Sequence, residues 1–371
     1  MALIHNATFD KNTRKLTFED RAGNEIYSFI VPERAPTVDD LTKPLTFRAT
    51  QDGSSVKLTK KGSPSGDFQT SMDGGNTWTD YPIGTAITLN TGDEVSFRAK
   101  ENRTSAQSGK NCFKFVMTGE IEAWHNVMSL YRKNDFATYN TAMNYLFYEL
   151  FISCTSLTKA PALPATTLAD SCYYGMFNNC TSLTEAPALP ATTLAKKCYT
   201  TMFYGCTSLA KAPALPATKL ATSCYASMFY GCTSLTEAPA LPATTLAPHC
   251  YYSVFYGCTS LAKAPALPAT TLTEGCYASM FEGCTSLTEA PALPATTLAK
   301  KCYTTMFYGC QSLEEVRVSA TTTATDALKE WLKDVSATGD FYCDPNATIF
   351  PTGMSGIPEN WTRRNIADYP N

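Results

Sequence analysis

Cysteine recurs along this chain at a fixed period. Cys154, Cys180, Cys206, Cys232, Cys258, Cys284 and Cys310 stand 26 residues apart, and so do Cys172, Cys198, Cys224, Cys250, Cys276 and Cys302. The unit between them reads C-T-S-L-T-E-A-P-A-L-P-A-T-T-L-A-K-K-C-Y-T-T-M-F-Y-G. A repeat of this length implies a solenoid, because a single unit is too small to bury its own apolar face. Leu157, Leu163, Leu168, Met176, Phe177 and their equivalents are therefore expected to stack as continuous columns. Residues 157–162 read as a short strand and residues 172–177 as a short helical turn on the opposite side. Pro161 and Pro164 recur in six units. Stacked prolines remove backbone donors from a parallel sheet, so pairing is expected only in about the four residues before each first proline.

Both ends of the array depart from the pattern. Residues 146–154 carry Leu146 in the first cysteine position and read as an opening cap. Leu313-Glu-Glu-Val-Arg-Val318 has Val and Arg where other units have Ala-Pro, and reads as the closing strand. The pattern L-x-x-A-P-x-L-P-x-x-x-L-x-x-x-C-Y-x-x-M-F-x-G-C-T-S resembles the BspA-like leucine-rich repeat family across residues 146–318. The resemblance implies a surface protein of adhesin type that binds host or matrix proteins, and it brings no catalytic residues.

The flanks read as β structure. Residues 1–44 hold alternating segments around Gly23-Asn24, consistent with a small β unit, and Pro32, Pro36 and Pro44 mark a linker. Residues 45–118 alternate again and read as a β-sandwich. Residues 119–145 read as a linker and the start of the N-terminal cap. Residues 319–371 read as a C-terminal cap containing an amphipathic helix at 326–335, with Thr325 as its N-cap. The predicted fold class is thus a β-rich, multidomain chain. A small N-terminal β unit and a β-sandwich precede a leucine-rich-repeat solenoid, with a short strand and a short helical turn per repeat, and a C-terminal cap follows.

Composition narrows the function. With 44% hydrophobic and 17% charged residues, the chain has material for a core and too little charge for disorder. The net charge of −3 and the lack of a basic stripe argue against nucleic acid as a partner. No apolar run is long enough for membrane insertion. The start at Met1 lacks the charged and apolar regions of a secretory signal peptide, so an extracellular-facing location implies another export route or carriage inside a larger particle.

Candidate chemistry is sparse. Ser71-Met-Asp-Gly-Gly-Asn-Thr-Trp78 resembles the Asp-box of sialidases, yet it stands alone and without an arginine cluster, so a structural turn is expected. Zinc needs four ligands around one point, which cysteines eight and eighteen residues apart do not supply. The cysteines are expected to be buried thiols that pack as small apolar residues. His249 beside Cys250 is one unit in a row of near copies, and no Ser-hydrolase, Walker or zincin motif is present. No catalytic residue, metal or cofactor is expected.

Two surface patterns remain. Lys159, Glu185, Lys211, Glu237, Lys263 and Glu289 alternate in sign down the strand face, ending at Glu315, and predict a structural charge ladder. Tyr204, Tyr230, Tyr256 and Tyr308 follow the recurrent phenylalanine of their units, with Tyr174 and Tyr252 nearby. Tyrosine rows combine apolar area with hydroxyls and suit proteins or sugars. The expected function is non-enzymatic recognition or adhesion, directed at an extracellular protein or glycan receptor. The alternative is a receptor-binding or tail-associated protein of a phage or contractile injection particle. A carbohydrate-active enzyme is the remote third reading. The sequence leaves the oligomeric state open.

Overall fold

The computed structural model describes residues 6–9, 15–19, 25–30, 41–103 and 108–369. The chain divides into two compact units, Met1–Asp39 and Asp40–Asn371. The first holds β1 (Asn6–Phe9), β2 (Lys15–Glu19) and β3 (Glu25–Ile30), paired antiparallel in that order. The Gly23-Asn24 turn and the prolines at 32 and 36 lie outside the described residues.

The second unit opens with β4 (Leu45–Ala49), β5 (Ser54–Lys61), β6 (Phe68–Ser71), β7 (Thr79–Tyr81), β8 (Ile87–Leu89), β9 (Glu94–Ala99), β10 (Cys112–Thr118) and β11 (Ile121–Trp124). Two sheets result, with orders β10-β5-β8 and β11-β4-β9-β6-β7. Strict alternation in β5, with Ser54, Val56 and Leu58 buried, shows one face of the sheet turned to a core. Phe47, Phe97 and Phe115 meet edge to face in that core.

The repeats follow. β12 (Leu157–Lys159) opens the array and β13 (Glu315–Arg317) closes it, joined by β14 (Gly339–Cys343) and β15 (Trp361–Asn365) in a parallel sheet. Between β12 and β13 the expected strands shrink to single bridges, such as Lys159↔Glu185 and Glu185↔Lys211. The cause is the Ala-Pro and Leu-Pro pairs that follow. Each proline removes a donor, and the ladder stops after one rung. β13 keeps its pairing because Val316 and Arg317 replace Ala and Pro. The leucine column is nonetheless continuous: Leu157, Leu183, Leu209, Leu235, Leu261, Leu287 and Leu313 are all fully buried.

The expected helical turn is not there. In residues 195–206 the N–H groups of Cys198, Thr200, Met202, Tyr204 and Cys206 bond three residues back, at 3.1–3.3 Å. The N–H groups of the residues between them bond the next coil: Tyr199 to Cys224, Thr201 to Ala226 and Phe203 to Met228, at 2.9–3.0 Å. Lys197, Thr201 and Gly205 have φ of +55°, +52° and +69°. The segment is a run of consecutive turns. Beyond its first turn an α-helix spends every N–H within itself. Here half of them tie one unit to the next.

The same geometry corrects the helix expected at 326–335. Asp326, Glu330 and Asp334 have positive φ, and the carbonyls of Ala327, Lys329 and Trp331 accept from Tyr303, Thr305 and Phe307. The unit above dictates the backbone and overrides local helix propensity. Residues 119–145 also differ from the expected linker, since β11 pairs both with β4 and with β12. The coil at 146–154 is bonded on both sides: Phe147 and Phe151 donate to Cys172 and Met176, while the Leu150 carbonyl accepts from Phe115 of β10 at 2.7 Å. It is therefore no terminal cap, because the sandwich covers it. Among the described residues no helix is long and apolar enough to cross a membrane.

Candidate binding surface

Repetition sets the surface as well as the core. Inside, Phe151, Phe177, Phe203, Phe229, Phe255, Phe281 and Phe307 stack with centroids 5.4–5.8 Å apart. Tyr173 to Tyr303 form a second buried column, closed by Phe147 at one end and Trp331 at the other. The position after each phenylalanine faces outward and inherits the same stacking.

Tyr204, Tyr230 and Tyr256 occupy that outward position in three consecutive units. Their ring centroids lie 4.5 and 4.2 Å apart and the rings are within 9° of parallel. All three are half-buried. Burial, followed by the neighbouring phenol, pushes the hydroxyl of Tyr204 above its ordinary pKa; for Tyr230, burial and a hydrogen bond with Tyr256 do the same. Next to the row runs a column of glycines, Gly205, Gly231 and Gly257, with positive φ and no side chain to shield the rings. Asn178 and Glu282 bound the row in sequence, so Tyr308 stands apart, with the Lys333 ammonium 5.2 Å from its ring centroid.

Tyr174 and Tyr252 belong to a different column, four residues earlier in each unit. Tyr174 stacks on Tyr148 at 4.8 Å. Tyr252 is 42% exposed, has Ala226 and Ala278 at the equivalent positions on either side, and meets His249 edge-on at 6.2 Å. The six tyrosines thus divide among a three-ring row, Tyr308 alone, and two rings of a neighbouring column. Sequence reasoning overlooked Tyr148, although it stands one period before Tyr174. Its ring lies 5.8 Å from Lys61 Nζ, which also pairs with Glu149 at 2.9 Å.

The charged column is built by backbone. Bridges join Lys159, Glu185, Lys211, Glu237 and Lys263 in order, and Glu289 to Glu315. Among the described residues no ion pair joins neighbouring side chains of this column. Lys159 Nζ lies 3.3 Å from the Trp124 ring centroid. The like-charged last pair is relieved by Tyr369, whose hydroxyl donates to Glu315 Oε1 at 2.6 Å while Arg317 lies over its ring. That bond to a carboxylate pushes the Tyr369 phenol up to about 12.

The other candidate groups are structural. Asp73 accepts from the Thr77 N–H at 2.9 Å and from its hydroxyl at 2.6 Å, and pairs with the Ser71 hydroxyl at 2.6 Å. These bonds hold its carboxyl well below the usual range. The Trp78 indole donates to Gly75 and Arg98 lies over its ring. The whole motif closes the β6–β7 hairpin. All fifteen cysteines are free and buried. Burial raises Cys154, Cys172 and Cys206 to about 12, so at neutral pH they are protonated thiols, poor as nucleophiles and as metal ligands. Among the described residues no three His, Cys, Asp or Glu groups are placed to hold a metal.

A stack of short leucine-bearing coils with a repeated outer face defines a leucine-rich-repeat protein, a class associated with recognition of proteins or surfaces. The family model of the BspA type leucine rich repeat region matches residues 123–236 and 196–327, with six copies. Together these matches span more than half of the chain, and the chain belongs to that family. No curated protein and no solved structure matches it.

Proposed function

We propose that this protein is a non-enzymatic recognition or adhesion protein whose repeat solenoid binds an extracellular protein or glycan receptor. The observation that carries the reading is the row of Tyr204, Tyr230 and Tyr256, half-exposed on a rack fixed by buried phenylalanine stacks and inter-coil hydrogen bonds. Rigid aromatic groups lose little freedom on binding and serve as anchors. The rings occupy one another's faces, leaving edges and hydroxyls for a partner. A sugar ring stacks on an open aromatic face, so this row favours a protein partner. The more open ring of Tyr252 is the better place for a glycan.

Protonated, buried thiols and an Asp-box closed on its own turn support the non-enzymatic part of the reading. A second reading changes only the carrier. The separate compact unit at Met1–Asp39 favours attachment to a larger assembly, such as a phage tail or injection particle. On either carrier the solenoid faces outward.

The test is a binding screen of the full chain against immobilised extracellular matrix proteins and oligosaccharides, repeated with Tyr204, Tyr230 and Tyr256 all changed to Ala. Capture of a protein that weakens at least tenfold in the triple variant is expected, since tyrosine anchors contribute on the order of 2 kcal/mol each. Equal capture by both chains contradicts the assignment of the row.

A further inference from the structure

Three lysines that lie apart in the sequence meet on one face of the sandwich. β5 pairs antiparallel with β10, aligning Lys57 with Val116, Thr59 with Lys114 and Lys61 with Cys112. Directly paired residues share a face, and so do alternate residues along a strand. Val56, Leu58, Phe113 and Phe115 are buried on the core side. Lys57, Lys61 and Lys114 therefore share the outer face. Lys114 stands between the other two and diagonal to each, a spacing of roughly 7–8 Å.

Hydroxyls occupy much of the remaining face. Those of Ser55 and Thr118 lie 2.8 Å apart, and that of Thr59 donates to the Lys114 carbonyl at 3.0 Å. β5, β8 and β10 contain no acidic residue. Lys61 pairs with Glu149 of the first coil at 2.9 Å, whereas no ion pair among the described residues involves Lys57 or Lys114. The face is open to solvent, since Val116 beside Lys57 is 40% exposed. Stability does not call for this arrangement, because like charges on paired strands repel. From Lys159 to Glu289 the charged column of the repeats alternates in sign. On the sandwich three cations share a face with a single carboxylate at its border.

We propose that the outer face of β5 and β10 binds an acidic polysaccharide, a sugar chain carrying sulfate or carboxylate groups. The lysines complement its charge, and the hydroxyls serve as donors and acceptors for those of the sugar. Residues 55–61 extend over about 20 Å, which suits an extended chain better than a single small anion. Protein interfaces are depleted in lysine, which disfavours a protein on this face. Nucleic acid favours arginine and open aromatic rings. The two strands hold no arginine, and Tyr148, the ring nearest Lys61, is stacked on Tyr174. A membrane interface takes a broad apolar surface, and Val116 is the sole exposed large apolar side chain of the two strands. The inference is independent of the partner that the repeat array binds.

Titration of the full chain with heparin, a sulfated polysaccharide, tests it. The wild type is expected to bind. Lys57→Gln combined with Lys114→Gln is expected to bind at least about tenfold more weakly. Lys211→Gln combined with Lys263→Gln removes the same charge from the repeat array and is expected to leave affinity unchanged. A second measurement needs no variant: wild-type affinity should fall between about 0.1 M and about 1 M salt, as the Debye length shrinks from about 10 to about 3 Å. A wild-type chain that does not bind heparin overturns the proposal. So does an affinity indifferent to salt, undiminished binding in the Lys57 and Lys114 variant, or equal loss in the two double variants. Tighter capture of a DNA duplex or of phosphatidylserine vesicles than of heparin, at equal salt, assigns the face to phosphate groups and overturns it as well.

Discussion

The cysteines illustrate how one residue type serves every unit. Each thiol of the column Cys180, Cys206, Cys232, Cys258, Cys284 and Cys310 donates to a phenylalanine carbonyl 29 residues back, at 3.0–3.1 Å. The side chain fills a small apolar space and gives a second donor to a carbonyl that already accepts the N–H of the cysteine three residues on, as Phe203 does from Cys206. Cys232→Ala removes both contributions and is expected to cost about 1–2 kcal/mol, read as a lower urea midpoint with unchanged slope. Alkali should attack the same column. Burial raises Cys154, Cys206, Cys258 and Cys310 from 9 to about 12. Above pH 9 the unfolded chain loses thiol protons that the folded chain keeps, so the folded state binds more protons and stability falls as pH rises. Each thiol contributes a slope of about 1.4 kcal/mol per pH unit across that window. Unfolding followed against pH is expected to show a steep, cooperative loss above pH 9; a fold indifferent to pH up to 12 contradicts this account of the columns. That the thiols would be buried was legible in the sequence, because a period of 26 puts each one at the same depth. Their carbonyl partners were not, since these depend on turns that no pattern of apolar residues encodes.

At the scale of elements, the repeat period and the leucine column were legible, and the type of secondary structure was not. Residues 172–177 and their equivalents read as a short helical turn on the side opposite the strand. Carbonyls of the same coil and of the next coil compete for the same N–H groups, and the winning arrangement gives half of them to the neighbour. The strand face failed in the other direction: prolines were expected to shorten pairing, and they reduce it to single bridges. Positive φ every fourth residue is the signature that a helix would lack. Gly257 has φ +66°, and a Cβ at this position would meet only Gly231 backbone, at 3.9 Å, so space is not the obstacle to a larger residue. Gly257→Val should still lower stability by about 1–3 kcal/mol through backbone conformation alone, seen as a lower melting temperature. No loss in that variant would mean that the turn run is not the folded backbone.

Across the molecule, aromatic stacking joins the sandwich, the repeats and the C-terminal segment. Phe115 of β10 stacks on Phe151 at 5.4 Å, the phenylalanine column runs on to Phe307, and Phe307 meets Trp331 at 6.4 Å. The boundaries expected at residues 118 and 146 therefore lie inside one compact unit. The sequence did not reveal this because Phe115 and Phe151 belong to different patterns, one of period two and one of period 26. Solenoid stability is close to a sum over units and their interfaces. Removing residues 206–257 rejoins Gly205 to Cys258 and restores every column. This variant is expected to fold and to melt in one cooperative transition at a modestly lower temperature. It also deletes Tyr230 and Tyr256. Its affinity for the partner captured by the full chain, measured side by side with the full chain, tests most directly whether the array is the binding surface. A fall of at least tenfold is expected for the shortened chain, whereas unchanged affinity would make the solenoid a spacer and contradict the account.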